Sequence, residues 1–140
     1  MASAHSQRGL TLIELVIVGS LAVLMLSTGL TQYLDFLSNQ RLQQWTDTIA
    51  NDLRAGQQLS VARRQSVVAT FTSGSYSVTA GGATVKVGTF PTDITSSTQT
   101  ITFSTLGTTA SAGTITLTST VTSRTKQISV SSVTGRVRTD

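Results

Sequence analysis

Between Leu10 and Leu30 the chain has 21 residues and a single charged side chain, Glu14. At about 1.5 Å per helical residue this run reaches roughly 31 Å, the thickness of a hydrocarbon core, so its apolar surface must be hidden by lipid or by other protein. Arg8 precedes it and no basic residue follows until Arg41. That asymmetry places the start of the chain in the cytoplasm and the remainder outside. A cleaved secretory signal has a similar outline, with Leu12–Leu26 as its apolar part and Ser27, Thr28 and Gly29 at its peptidase site. Two features count against it: the apolar run opens abruptly after Gly9, and Glu14 lies inside it. An ionised carboxylate near mid-membrane costs about 2.5–3.5 kcal/mol on insertion scales, a cost that a pure export signal has no reason to carry.

The stretch Gln7-Arg8-Gly9-Leu10-Thr11-Leu12-Ile13-Glu14-Leu15-Val16-Ile17-Val18 resembles the prepilin signature of type IV pilins and type II secretion pseudopilins. In that family a prepilin peptidase cuts after the glycine and N-methylates the new first residue, and the apolar helix becomes the filament core. The resemblance implies a leader over residues 1–9, cleavage between Gly9 and Leu10, N-methylation of Leu10, and a transmembrane or filament-core helix over 10–31. Leu10 stands where the family usually has Phe. The resemblance also implies that Glu14 pairs with the N-terminal ammonium of a neighbouring subunit, in line with the rule that a buried carboxylate is tolerated when paired.

The helix is expected to continue. From Gln32 to Arg64 there is no Pro and one Gly, while Leu34, Leu37, Leu42, Trp45, Ile49 and Leu53 recur near one helical face. This reading makes 32–65 an amphipathic helix with Arg41, Asp47, Asp52, Arg54, Arg63 and Arg64 mostly on its solvated side. Ser27, Thr28 and Gly29 form the weakest helical stretch, where any kink should fall.

From Thr70 onward there are 21 Thr and 12 Ser in 71 residues, interleaved with apolar residues. That alternation reads as β structure over 66–140. Val67–Phe71 is one strand; Ser75–Ala80 and Ala83–Val87 flank Gly81-Gly82, suited to a two-residue hairpin turn. A regular register would set Tyr76 opposite Val87, Val78 opposite Val85 and Ala80 opposite Ala83. Thr92–Thr98 reads as a loop, and Ile101/Phe103, Ile115/Leu117 and Ile128/Val130 mark three further strands. The expected fold class is therefore α+β, type IV pilin-like: a long N-terminal helix whose distal half packs on a C-terminal antiparallel sheet.

The absence of Cys excludes disulfides and thiolate chemistry, and His5, the one imidazole, lies in the expected leader. Hydroxyl nucleophiles thus lack a base, and the scattered carboxylates form no metal motif, so the sequence points to no enzyme and no cofactor. The net charge is +4. The chain closes on Gly135-Arg136-Val137-Arg138, where alternation puts both guanidiniums on one side, about 7 Å apart, at a spacing that suits successive phosphates. Gly135 would let a ligand backbone approach.

Ala62-Arg63-Arg64-Gln65-Ser66-Val67-Val68, Phe103 to Gly107, and Ile128-Ser129-Val130 with the terminal Gly135-Arg136-Val137-Arg138 resemble the H-type pseudopilin (GspH) domain, which includes FimT-like minor pilins. In the FimT-like branch a terminal G-R-x-R motif is implicated in DNA uptake during natural transformation. The resemblance implies double-stranded DNA contacts at Arg136 and Arg138; Arg63 and Arg64, at the helix-to-sheet junction, are expected to add a smaller share to the same patch. It also implies other major and minor pilins as partners, the bacterial inner membrane before assembly, and then a periplasmic or surface filament. The alternative is a tip or initiation pseudopilin, of a pilus or a type II secretion system, that binds no DNA. A membrane-anchored binding domain unrelated to filaments is a third reading.

Overall fold

The computed structural model describes residues 11–110 and 112–140. One helix, α1 (Leu12–Arg63), is followed by eight strands. Thr11 stands before α1, its side chain accepting from the Glu14 amide at 3.4 Å, and Glu14 lies in the first turn, where its charge complements the helix dipole. α1 runs without a break through Ser27–Gly29, the stretch read as its weakest. The run contains no Pro, and Ser27 returns its hydroxyl to the Leu24 carbonyl at 2.9 Å, so the only local cost is that of Gly29. At the far end Arg64 adopts a left-handed φ of 51°, and the Gln65 amide reaches back to the Ser60 carbonyl, closing the helix two residues before the expected boundary.

Contacts divide the chain into a unit ending at Leu34 and a second unit, Asp35–Asp140. In the first, the described side chains are exposed, Leu12 and Leu26 by about four-fifths, and α1 is the one described helix long and apolar enough to cross a membrane. In the second, Ser38, Leu42, Thr46, Ile49, Leu53, Gly56 and Ser60 are buried at spacings of 3 and 4, with Trp45 and Leu59 beside them. Leu34 is exposed and lies outside the buried stripe on which it was expected.

The strands are β1 (Val67–Phe71), β2 (Ser75–Ala80), β3 (Ala83–Thr89), β4 (Ile94–Ser96), β5 (Gln99–Phe103), β6 (Gly113–Ser119), β7 (Thr125–Val130) and β8 (Val137–Thr139). They form two antiparallel sheets rather than the one expected, ordered β3-β2-β1-β5 and β4-β6-β7-β8. Each turns a row of apolar side chains to a shared core, among them Val67, Phe71 and Ile101 from the first and Ile115, Leu117 and Ile128 from the second. The opposite faces carry the threonines. β4 occupies part of the expected loop because Ile94 is drawn into the core and the strand pairs along β6, Ile94 opposite Ser119.

The hairpin departs from its expected register. Ala80 does face Ala83, but Val78 faces Lys86 and Tyr76 faces Gly88, because a bulge at Val78/Thr79 leaves Val85 as the extra residue. Val87 is thereby turned to solvent beside Ser77, and Lys86, still exposed, comes to the face shared with Val78, where its ammonium reaches Asp52 of α1. A packing reason is visible: the Tyr76 ring covers Gly88, occupying the space where a Cβ would stand. That ring stacks between Phe71 and Phe90, each with its centroid 5.6 Å away, and Phe90 meets Trp45 edge-on.

Candidate functional site

Charge in this domain is decided by partners rather than by counts. Asp52, expected on the solvated side of α1, is only 13% exposed. It accepts from the Tyr76 hydroxyl and from Lys86 Nζ, each at 2.5 Å. Burial, reinforced by that bond and by the Asp52 charge, pushes the Tyr76 phenol well above its usual range. Arg41 is likewise paired, with Asp93 at 3.3 Å. Arg54, Arg63, Arg64, Arg124, Lys126, Arg136 and Arg138 have no ion pair among the described residues.

Arg136 and Arg138 flank Val137, which is buried as the strand alternation requires, while both arginines are exposed. β8 is an edge strand held to β7 by the pairs Ser129↔Arg138 and Val130↔Val137. Thr114, Ser129 and Arg138 stand side by side across β6, β7 and β8 on the outer face. Together with Arg136, Ser131 and Thr134 they line a groove of about 650 Å³. Its walls thus offer two guanidiniums and several hydroxyls, a lining suited to the oxygens of a polyanion.

Gly135 does not serve the purpose expected of it. It is buried, adopts φ +63°, and lies against the Gly107 carbonyl and the Gln57 side chain, so its close approach is made inside the protein and not toward a ligand. Gln57 fastens this corner, donating from Nε2 to the carbonyls of Gly107 (2.8 Å) and Thr134 (3.0 Å). Arg63 and Arg64 are exposed at the end of α1 and line none of the grooves that hold Arg136 or Arg138. Arg54 is the residue that sequence reasoning passed over. Its Nη2 lies 3.5 Å from the Val137 carbonyl, and it shares a depression with Thr134 and Arg136. Its position i+4 from the buried Ala50 was the one available signal, and it is a weak one.

Gly9 and Leu10 lie outside the described residues. Glu14 is exposed and has no ion pair among the described residues. No group of three or more His, Cys, Asp or Glu suited to a metal occurs among the described residues.

A long apolar helix that continues into a two-sheet β domain, with its distal half inside that domain's core, defines a pilin-type subunit. Two crystal forms of the type IV minor pilin FimU from Pseudomonas aeruginosa strain PAO1 share the fold. Their TM-scores are 0.59 and 0.61 at 18% identity, over 71% and 75% of this chain and 92% of the FimU chain in each. A family model described as type II transport protein GspH matches residues 46–135. No curated protein sequence matches the chain. The chain belongs to the GspH family and is a minor pilin or pseudopilin of a type IV pilus or type II secretion system. Such subunits are structural and associate with other pilins in a filament, and the apolar N-terminal helix fits a single-pass inner-membrane anchor.

Proposed function

We propose that this minor pilin binds duplex DNA without sequence preference through Arg136 and Arg138, presenting it for uptake in natural transformation. The observation that carries the reading is the groove beside β8, where both guanidiniums are exposed, have no described ion-pair partner, and stand beside hydroxyls. The second unit holds nine basic and five acidic side chains, and two of those acids are consumed by Arg41 and Lys86. Two or three phosphate contacts give a slope of log K against log salt of about −1.8 to −2.7, hence a roughly tenfold to fortyfold loss between 50 and 200 mM salt. A single copy binds in the range of about 10⁻⁴–10⁻⁶ M, and tighter capture requires several copies on one filament.

The test is a titration of fluorescent duplexes of two unrelated sequences with the full chain in a neutral detergent. Arg136→Gln with Arg138→Gln should remove most of the affinity on both duplexes. Absence of binding by the wild-type chain at low salt, or wild-type affinity in the double variant, would leave the second reading. In that reading the chain is a tip or initiation subunit without DNA binding, favoured by the exposed apolar Leu106 and Val133 on the loops beside Gly107 and Gly135.

The reading includes a leader over 1–9, a filament-core helix over 10–31, an amphipathic segment over 32–65 and the β domain over 66–140. A prepilin peptidase releases and N-methylates Leu10 by cutting after Gly9, and Glu14 pairs with a neighbour's N-terminal ammonium during assembly. The intact mass of the mature chain should begin at Leu10 and carry one added methyl; a start after residue 25 would end this reading.

A further inference from the structure

The groove beside β8 is one of two depressions that meet at the same residues. Thr134 and Arg136 line the groove shared with Arg138 on the outer face of the second sheet. They also line a second depression, of about 460 Å³, with Arg54, Gln57 and Gln58 of α1. The segment that leads into β8 therefore borders two open depressions, and Arg136 lines both.

Three observations bear on how a polyanion would lie across this edge. First, among the described residues the Arg54 guanidinium contacts only neutral acceptors, Asn51 Oδ1 at 3.0 Å and the Val137 carbonyl at 3.5 Å, so its charge is not cancelled there. Second, beyond Arg138 the strand runs into Asp140, which shares a separate depression with Asp47 and Lys126, and two carboxylates there repel phosphate. Third, among the described residues no aromatic side chain lines either depression, so they offer no platform on which unpaired bases could stack. The Gln57 bonds to the Gly107 and Thr134 carbonyls keep the shared wall in place.

We infer that Arg54 is a third phosphate-binding guanidinium, so that duplex DNA crosses the β8 edge from the outer face of the second sheet onto α1. This rests on the DNA reading above and adds to it the path of the duplex. A contact to phosphate weakens all sequences alike when removed and lowers the salt slope by about one.

The experiment uses the full chain in neutral detergent and a fluorescent duplex at several salt concentrations. Arg54→Gln should weaken binding roughly threefold to tenfold at low salt and reduce the slope by about one. Arg54→Lys should retain the wild-type slope, since an ammonium still neutralises a phosphate. Arg63→Gln with Arg64→Gln should leave both quantities unchanged. A wild-type slope in Arg54→Gln, with binding still lost in Arg136→Gln/Arg138→Gln, would overturn the inference and leave the DNA reading intact. An Arg54→Lys variant as impaired as Arg54→Gln would assign Arg54 to holding the Val137 carbonyl and likewise overturn it. No binding by the wild-type chain at low salt would overturn both.

Discussion

The two sheets are built from the same materials and treat their cations in opposite ways. Each turns apolar side chains inward and threonines outward, and each has an edge strand with a basic residue, Lys86 on β3 and Arg138 on β8. On β3 the bulge at Val78/Thr79 sets the half-exposed Lys86 on the face of Val78, where Asp52 neutralises it. On β8 no irregularity intervenes, Val137 takes the core position, and Arg138 and the preceding Arg136 remain outside with no carboxylate partner among the described residues. A shift of one residue in register therefore decides whether a strand's charge fastens the fold or faces a partner. The first sheet uses its cation as a clamp between β3 and α1, and the second displays its cations.

The comparison is tested most severely at Asp52. Asp52→Ala removes the acceptor for both the Tyr76 hydroxyl and Lys86. Lys86 is half-exposed and loses little. The Tyr76 hydroxyl belongs to a residue only 3% exposed and is left without its partner, so the expected loss is about 2–3 kcal/mol. Trp45, the sole tryptophan, packs against Phe90 and thus reports on this region in a urea titration of the full chain. A loss below about 0.5 kcal/mol would show that the clamp is ornamental and that the two edges do not differ in kind.

A smaller effect is expected with pH. The Tyr76 phenol is pushed upward in the folded chain by burial, then by its bond to Asp52. The unfolded chain, with a phenol near pKa 10, therefore releases this proton first. The sign follows: stability from this group is fully present below about pH 10 and falls as pH rises beyond it. Tyr76→Phe should lose about 1 kcal/mol at neutral pH and show a weaker decline in alkali than the wild-type chain. An equally steep alkaline decline in the Phe variant would place the titrating group elsewhere.

Much of this architecture can be read along the chain, and what cannot be read has a common cause. The apolar run after Gly9, the stripe through Leu42, Ile49 and Leu53, and the turn at Gly81-Gly82 are local patterns, and each corresponds to an element in the structure. The register of β3 depends on a ring from β2 lying over Gly88, a contact across strands that alternation alone cannot reveal. Asp52 reads as a solvated helix charge until Tyr76 and Lys86 are brought to it from positions 24 and 34 residues away. β4 has three residues, two of them Thr and Ser, and only its pairing with β6 distinguishes it from a loop. The outward placement of Arg136 and Arg138 was legible from alternation, whereas the burial of Gly135 and the proximity of Arg54 arise from Gln57 and Val137, which lie far apart in sequence.

The smallest expected effect completes the contrast. Arg136→Gln with Arg138→Gln should change the stability of the full chain by no more than about 0.5 kcal/mol per site, since exposed charges without partners contribute little to folding. Two like charges about 7 Å apart in a water-like medium repel by roughly 0.6 kcal/mol, so the double variant should if anything be slightly more stable at low salt. Salt screens that repulsion over distances of about 10 Å at 0.1 M, and the small gain should vanish as salt is raised. Urea titrations at low and high salt, read through Trp45, measure both quantities. A double variant that unfolds far more readily would mean that the arginines hold β8 in place, as Asp52 holds β3. Loss of DNA binding in that variant would then follow from a displaced edge, and the distinction between a fastening edge and a displaying edge would fail.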